Sequence, residues 1–367
     1  MGSHNWKWPA LALAALIVPA TAAHAQDVIP LEIGEDWRHP HTGIVVPAEL
    51  GGITRTRGVS YSEDDLNTGI VFDDAPRGEF LTVYVYRSVG GGVPVWFAQS
   101  RMALEMRPEF AGATMPAGIE PVALPGRDTP SGLMVSYGLP EESGLSSTGV
   151  ALFEVGGFLV KLRATSERRG AAALADTMRA ALAELTWPEQ AGRGLAPLPV
   201  IDCPQPLAFD GTSKDLPQDF SAALGAGLVG MIAQDKADGS EDSEAIGEAR
   251  RQIQWCLEGS VGSTQRVNRA DASADSLLIA IGDSGTSVTA GRSSGLGALL
   301  SSADDEKPAR YEVVLHLEDV NVTFPAQDRL PSPKRVVEIV NSGRIVMSVP
   351  TWGDDRGIEV RLPADAD

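Results

Sequence analysis

Only two of the 367 residues are cysteine, Cys203 and Cys256, and neither has a second cysteine or a histidine close in sequence, which excludes the paired-cysteine zinc motifs. Histidine is scarce as well. His4 and His24 fall within the first 25 residues, and only His39, His41 and His316 lie beyond them. Basic residues are the minority, 30 Lys and Arg against 49 Asp and Glu for a net charge of −19, a balance that repels nucleic acid and anionic lipid. The acids are scattered rather than focused, so they read first as a solubility feature. Glycine-rich phosphate loops, dinucleotide fingerprints and fixed-period repeats are missing, and no cofactor is indicated.

The clearest positive signal stands at the amino end. Lys7 precedes an apolar stretch from Ala10 to Val18, broken by Pro19 and followed by Ala23-His24-Ala25. That layout predicts a signal peptide over residues 1–25, with the mature chain starting near Gln26 in the periplasm or outside the cell. The stretch is shorter than the roughly 20 residues of a membrane span, and no later transmembrane segment is expected. No cysteine lies nearby for a lipid anchor. In an oxidising compartment Cys203 and Cys256 are expected to pair.

After the leader about 340 residues remain, more than one core usually serves. The division expected is an N-terminal domain over 26–190, a linker at 191–199 rich in Gly, Pro and Ala, and a C-terminal domain over 200–367. Alternation from Phe80 to Arg87 suits a central strand buried on both faces. Val150 to Thr165 reads as a hairpin turning at Gly156-Gly157. On its second strand Phe158, Val160, Leu162 and Ala164 face inward, whereas Leu159, Lys161, Arg163 and Thr165 are expected to meet solvent. A helix spans Gly170 to Leu185, and a shorter one begins at Pro94 with Trp96, Phe97, Ser100 and Leu104 on one side. The second region predicts a core helix from Phe220 to Ala233, an acidic joint from Asp235 to Glu248, and then strands. Those strands include Gln252 to Leu257, Leu277 to Ile281, Ser287 to Ala290, Arg310 to Leu317, Asn321 to Phe324, Arg335 to Val340, Arg344 to Val349 and Ile358 to Leu362. The fold class expected is α+β, each domain a mainly antiparallel sheet with one or two packed helices.

Gly282-Asp283-Ser284-Gly285 follows an apolar strand and resembles the nucleophile block of GDSL-type hydrolases, which would make Ser284 catalytic. The Asp-x-x-His pattern and the Gly-x-Asn-Asp block of that family are missing, and Gly-Asp-Ser-Gly between two β-prone runs is what a hairpin turn should look like. His39-Pro40-His41 would bring two imidazoles to one side of an extended segment, the start of a metal site if acids complete it. His316 sits in an alternating strand as a satisfied, half-buried residue. A calcium loop at Asp238-Gly239 fails, because it places Gln234, Lys236 and Ala245 at ligand positions.

The run His41 to Leu50, then Tyr84-Val85-Tyr86, then Phe153 to Arg163 and the closing helix resembles exported proteins of alphaproteobacteria. In outline, residues 40–188 are similar to Mog1/PsbP-like domains, where an early strand ends in Pro and a final helix covers an antiparallel sheet. That resemblance implies a binding or accessory role without transferable catalytic residues. The function expected is therefore a non-enzymatic periplasmic binding or envelope accessory protein with a possible envelope protein partner. A serine hydrolase using Ser284 and a metal-binding protein using His39 and His41 are the competing readings.

Overall fold

A computed structural model describes residues 27–192, 195–217, 252–293, 309–353 and 359–360. The leader at 1–25, the helix expected at 220–233 and the acidic joint at 235–248 lie outside the described residues. In chain order the first half contains β1 (Asp27–Ile29), β2 (Trp37–Arg38), β3 (Val45–Val46), β4 (Glu49–Leu50), β5 (Ile53–Ser60), β6 (Asn67–Asp74) and β7 (Glu79–Arg87). Next come α1 (Gly92–Glu105), β8 (Glu120–Ala123), β9 (Pro130–Gly138), β10 (Ser147–Val155), β11 (Phe158–Ser166) and α2 (Ala171–Glu184). The second half adds β12 (Ile201–Asp202), β13 (Trp255–Val261), β14 (Gln265–Ala270), β15 (Ser276–Ala280), β16 (Ser287–Arg292), β17 (Tyr311–His316), β18 (Val320–Thr323), α3 (Pro333–Asn341), β19 (Met347–Pro350) and β20 (Glu359–Val360).

These strands form two large sheets and a small β2–β3 pair, antiparallel except where β12 runs parallel to β13, and with the helices they make an α+β architecture. The first sheet has the order β1-β5-β6-β7-β11-β10-β9-β8, with β4 also paired to β5. β7 is central in it, as alternation from Phe80 to Arg87 requires. The second runs β12 through β20 in sequence order, so each strand pairs with the next. Gly156 and Gly157 turn the β10–β11 hairpin with φ of +57° and +79°.

Three cores hold five layers together. On one face of the first sheet Val160, Leu162 and Phe153 pack under Leu174, Met178 and Leu182 of α2. Full burial of each such side chain contributes roughly 1.5–3 kcal/mol. On the opposite face Leu159, Leu152 and Val135 meet Trp96, Phe97 and Leu104 of α1. Leu278 and Ala280 of β15 belong to that same core, so α1 is shared between the two sheets. Its buried residues run right around the helix and include Val93, Val95 and Met102 as well as the single stripe expected. The outer face of the second sheet, with Ile279, Val288, Val313 and Leu315, closes against Val336, Ile339 and Val340 of α3.

Two expectations are overturned here. Arg335 to Val340 is helical rather than a strand. Ser332 caps that helix by accepting from the Arg335 amide, Pro333 occupies the first turn, and Val336, Ile339 and Val340 share one buried face, which outweighs their β-branching. The face of β11 expected to meet solvent is largely covered, with Leu159 1% and Lys161 5% exposed. The cause is tertiary, because α1 and the β15–β16 turn lie on it. Cys203 and Cys256 form the expected disulfide, their Cα atoms 4.8 Å apart, beside the β12–β13 pairing. Among the described residues no helix is long and apolar enough to cross a membrane.

Candidate functional site

Gly282-Asp283-Ser284-Gly285 is the turn between β15 and β16, closed by the Ile281 amide donating to the Thr286 carbonyl at 2.9 Å. Its glycines have φ of +62° and +97°. The turn is wedged against the first sheet. A Cβ at position 285 would lie 2.3 Å from the Arg87 carbonyl oxygen, and Ser287 Oγ donates to the Val89 carbonyl at 3.3 Å. Only a residue without a side chain lets the two backbones approach this closely.

Wedging brings Asp283 to Lys161. Lys161 Nζ donates to Asp283 Oδ2 at 2.9 Å and to its backbone oxygen at 3.0 Å, and lies 4.8 Å and 5.1 Å from the ring centres of Tyr84 and Tyr86. A carboxylate, a carbonyl and two aromatic faces thus replace the water that this ammonium loses. Burial pushes the Asp283 carboxyl upward, but the Lys161 charge and hydrogen bond, then Arg163 and Arg107, pull it below the usual range. Burial also drives the Tyr86 phenol well above its ordinary value, reinforced by Asp283.

Arg163 follows Lys161 by two on β11 and therefore points to the same face, opposite Thr82 of β7. Its Nε is buried without a hydrogen-bond partner, and among the described residues no carboxylate lies within ion-pair distance of its guanidinium. Burial first, and then repulsion from Arg107, push its pKa down, with Asp283 and Glu109 opposing. Beside it Tyr84 packs against Tyr61 across Gly69, where a Cβ would meet the Tyr61 hydroxyl at 3.2 Å and the Tyr84 ring at 3.3 Å. Burial raises the Tyr61 phenol above its ordinary value, and the Arg57 charge opposes that rise. In a strongly acidic chain, this joint gathers Lys161, Arg163 and Arg107 around Asp283, with Glu109 and Tyr84 beside Arg163 and Arg57 near Tyr61. The Arg163 Nε–H, a guanidinium donor with no acceptor, suits an oxyanion.

Ser284 is half-buried in the wedged turn, and its neighbour Asp283 is held by Lys161. The hydrogen bonds of the three imidazoles lead elsewhere. His39 is fully buried, with Nε2 on the Asp65 carbonyl at 3.2 Å and Nδ1 accepting from the Thr42 amide at 3.2 Å. Burial lowers its pKa to about 4. His41 Nε2 lies 2.6 Å from the Asp64 carbonyl, and its ring stacks on Phe158 at 5.8 Å and meets Trp352 edge-on at 4.7 Å. The two imidazoles are 5.6 Å apart, and among the described residues no group of three or more His, Cys, Asp or Glu comes together as a metal site would require. His316 is half-buried between Thr289 and Asn321.

In the sequence Lys161 and Arg163 stand only as part of a solvent-facing strand face, and Asp283 only as part of a tetrad that fits a turn or a nucleophile block. The available signal was two cations on alternate positions of a strand whose preceding same-face residue, Leu159, is apolar. No protein-family model, curated protein or solved structure matches this chain.

Proposed function

We propose that this chain is an exported periplasmic protein that binds a small anionic ligand, a carboxylate or a phosphate ester, where the β15–β16 turn meets the first sheet. It acts as a binding or envelope accessory protein, without chemistry of its own. The observation that supports this most directly is Arg163, a partly desolvated guanidinium whose Nε has no acceptor and whose nearest charged neighbours include a second arginine. A buried donor without a partner costs about 1–3 kcal/mol, and a bound oxyanion would recover it. Tyr61 and Tyr84 would flank an aromatic or sugar body attached to that anion. Export is supported by the leader pattern and by the disulfide. A two-domain division at 191–199 and a Mog1/PsbP-like character for residues 40–188 belong to the same proposal, with α2 as the covering helix.

Isothermal titration with phenyl phosphate, benzoate and inorganic phosphate tests it. Saturable binding of at least one, weakened tenfold or more by Arg163→Gln and largely kept by Arg163→Lys, is the expected result. No binding to the folded wild type, or equal binding to Arg163→Gln, overturns it.

A further inference from the structure

A different surface carries a second site. Cross-strand pairing aligns Leu278, Thr289 and Val314 on the inner face of the second sheet, and α1 covers only its Leu278–Ala280 corner. Beyond that corner a cavity of about 220 Å³ is walled by Trp255, Leu278 and Val314, with Thr289 and Glu312 among its lining residues. At about 30 Å³ per water this is room for roughly seven waters, or a small flat organic molecule.

Among its polar lining residues, Thr289 and Glu312 present acceptors. His316 lies 2.7 Å from Asn321 Oδ1 through Nδ1 and 2.8 Å from Thr289 Oγ1 through Nε2. An amide oxygen only accepts, so Nδ1 carries the imidazole proton and Nε2 is bare. The Thr289 hydroxyl must then donate to Nε2, which leaves only oxygen lone pairs for the cavity. Glu312 accepts from Ser293 Oγ at 2.7 Å and makes no ion pair among the described residues. Trp255 adds an aromatic face. Arg292 also lines the rim, but it is exposed and its charge is screened by solvent.

The order hydroxyl, imidazole, amide is also that of a nucleophile and its base. Here β16 is paired on both sides, by β15 and β17, so its peptide N–H groups serve the sheet rather than an oxyanion. The relay fixes a hydroxyl as an acceptor.

We infer that this cavity binds a small organic cation with a flat apolar body, held by Glu312, Thr289 and the Trp255 ring. Benzamidine is the probe. In NMR spectra of the mature chain, with the Trp255 indole N–H assigned through Trp255→Phe, benzamidine should shift that resonance saturably. Glu312→Gln should weaken binding tenfold or more, Thr289→Val severalfold, and Arg163→Gln not at all, which separates this site from the anionic one. Should Thr289→Val fail to fold, Glu312→Gln decides alone. An unmoved Trp255 signal, undiminished binding to Glu312→Gln, or benzoate binding there as tightly as benzamidine would overturn the inference.

Discussion

Lys161 shows how one residue couples two sheets. Its side chain is 6% exposed while that of Asp283 is 41% exposed, so the pair is buried on one side only. Breaking a fully buried pair costs about 3–5 kcal/mol; with a partner that solvent still reaches, Lys161→Met should cost about 2 kcal/mol, read as a lower urea midpoint. His39 sets a pH dependence at the same scale. Its folded-state pKa, about 4, lies below the ordinary 6.5, so between those values the unfolded chain takes up a proton that the folded one refuses. The stability it contributes is present above pH 6.5 and falls away toward pH 4, by roughly 3 kcal/mol at full expression. His316, whose pKa burial also lowers, acts in the same direction. Urea denaturation at pH 7 and pH 4.5 should show this loss, and His39→Gln should flatten it; a profile unchanged by that substitution would contradict the assignment.

At the scale of elements, the β15–β16 hairpin works as a wedge, and Gly285 is where it meets the Arg87 carbonyl. Gly285→Ala combines a positive φ with a backbone clash, and is expected to destabilise by about 1–3 kcal/mol; Gly282→Ala, with open space around it, should cost less. Comparing their unfolding midpoints isolates the docking contribution. The helix α3 depends on its Ser332 cap, and Ser332→Ala should lower stability by about 1 kcal/mol in the same assay. Its misreading as a strand is instructive. Val336, Val337, Ile339 and Val340 favour strands locally, but Ser332-Pro333 marks a helix start, and spacings of three and four match the buried face. By contrast, strict alternation from Phe80 to Arg87 and the Gly156-Gly157 turn were legible directly, since period and turn chemistry are local properties. Alternation also identified which residues of β11 share a face. It could not say that a helix and a distant turn would cover Lys161 and Arg163.

For the whole molecule, the shared core around α1 makes the two sheets interdependent. Arg87 reinforces this by donating to Thr351 Oγ1 at 2.8 Å and to the Thr351 carbonyl at 2.9 Å, as does Asn67 by donating to Glu318 Oε1 at 2.7 Å. The Cys203–Cys256 bridge, spanning a sequence separation of 53, ties the chain just after β12 to β13 of the second sheet. On the chain-entropy model it is worth roughly 4 kcal/mol. A Cys203→Ser, Cys256→Ser double variant should lose about that much, and a non-reducing peptide map of native material should show the cross-link.

Of this protein, the sequence by itself determined what depends on near neighbours: the alternation that makes the central strands, the α2 stripe, the two-glycine turn, and the pairing of its only two cysteines. Tertiary structure alone decided where Lys161, Arg163 and Asp283 meet, that Gly285 touches Arg87, and that Trp255, Thr289 and Glu312 line one cavity. The contacts of Lys161 with Asp283 and of Gly285 with Arg87 join residues more than a hundred positions apart. They follow from how the sheets stack on α1, and no local period encodes that.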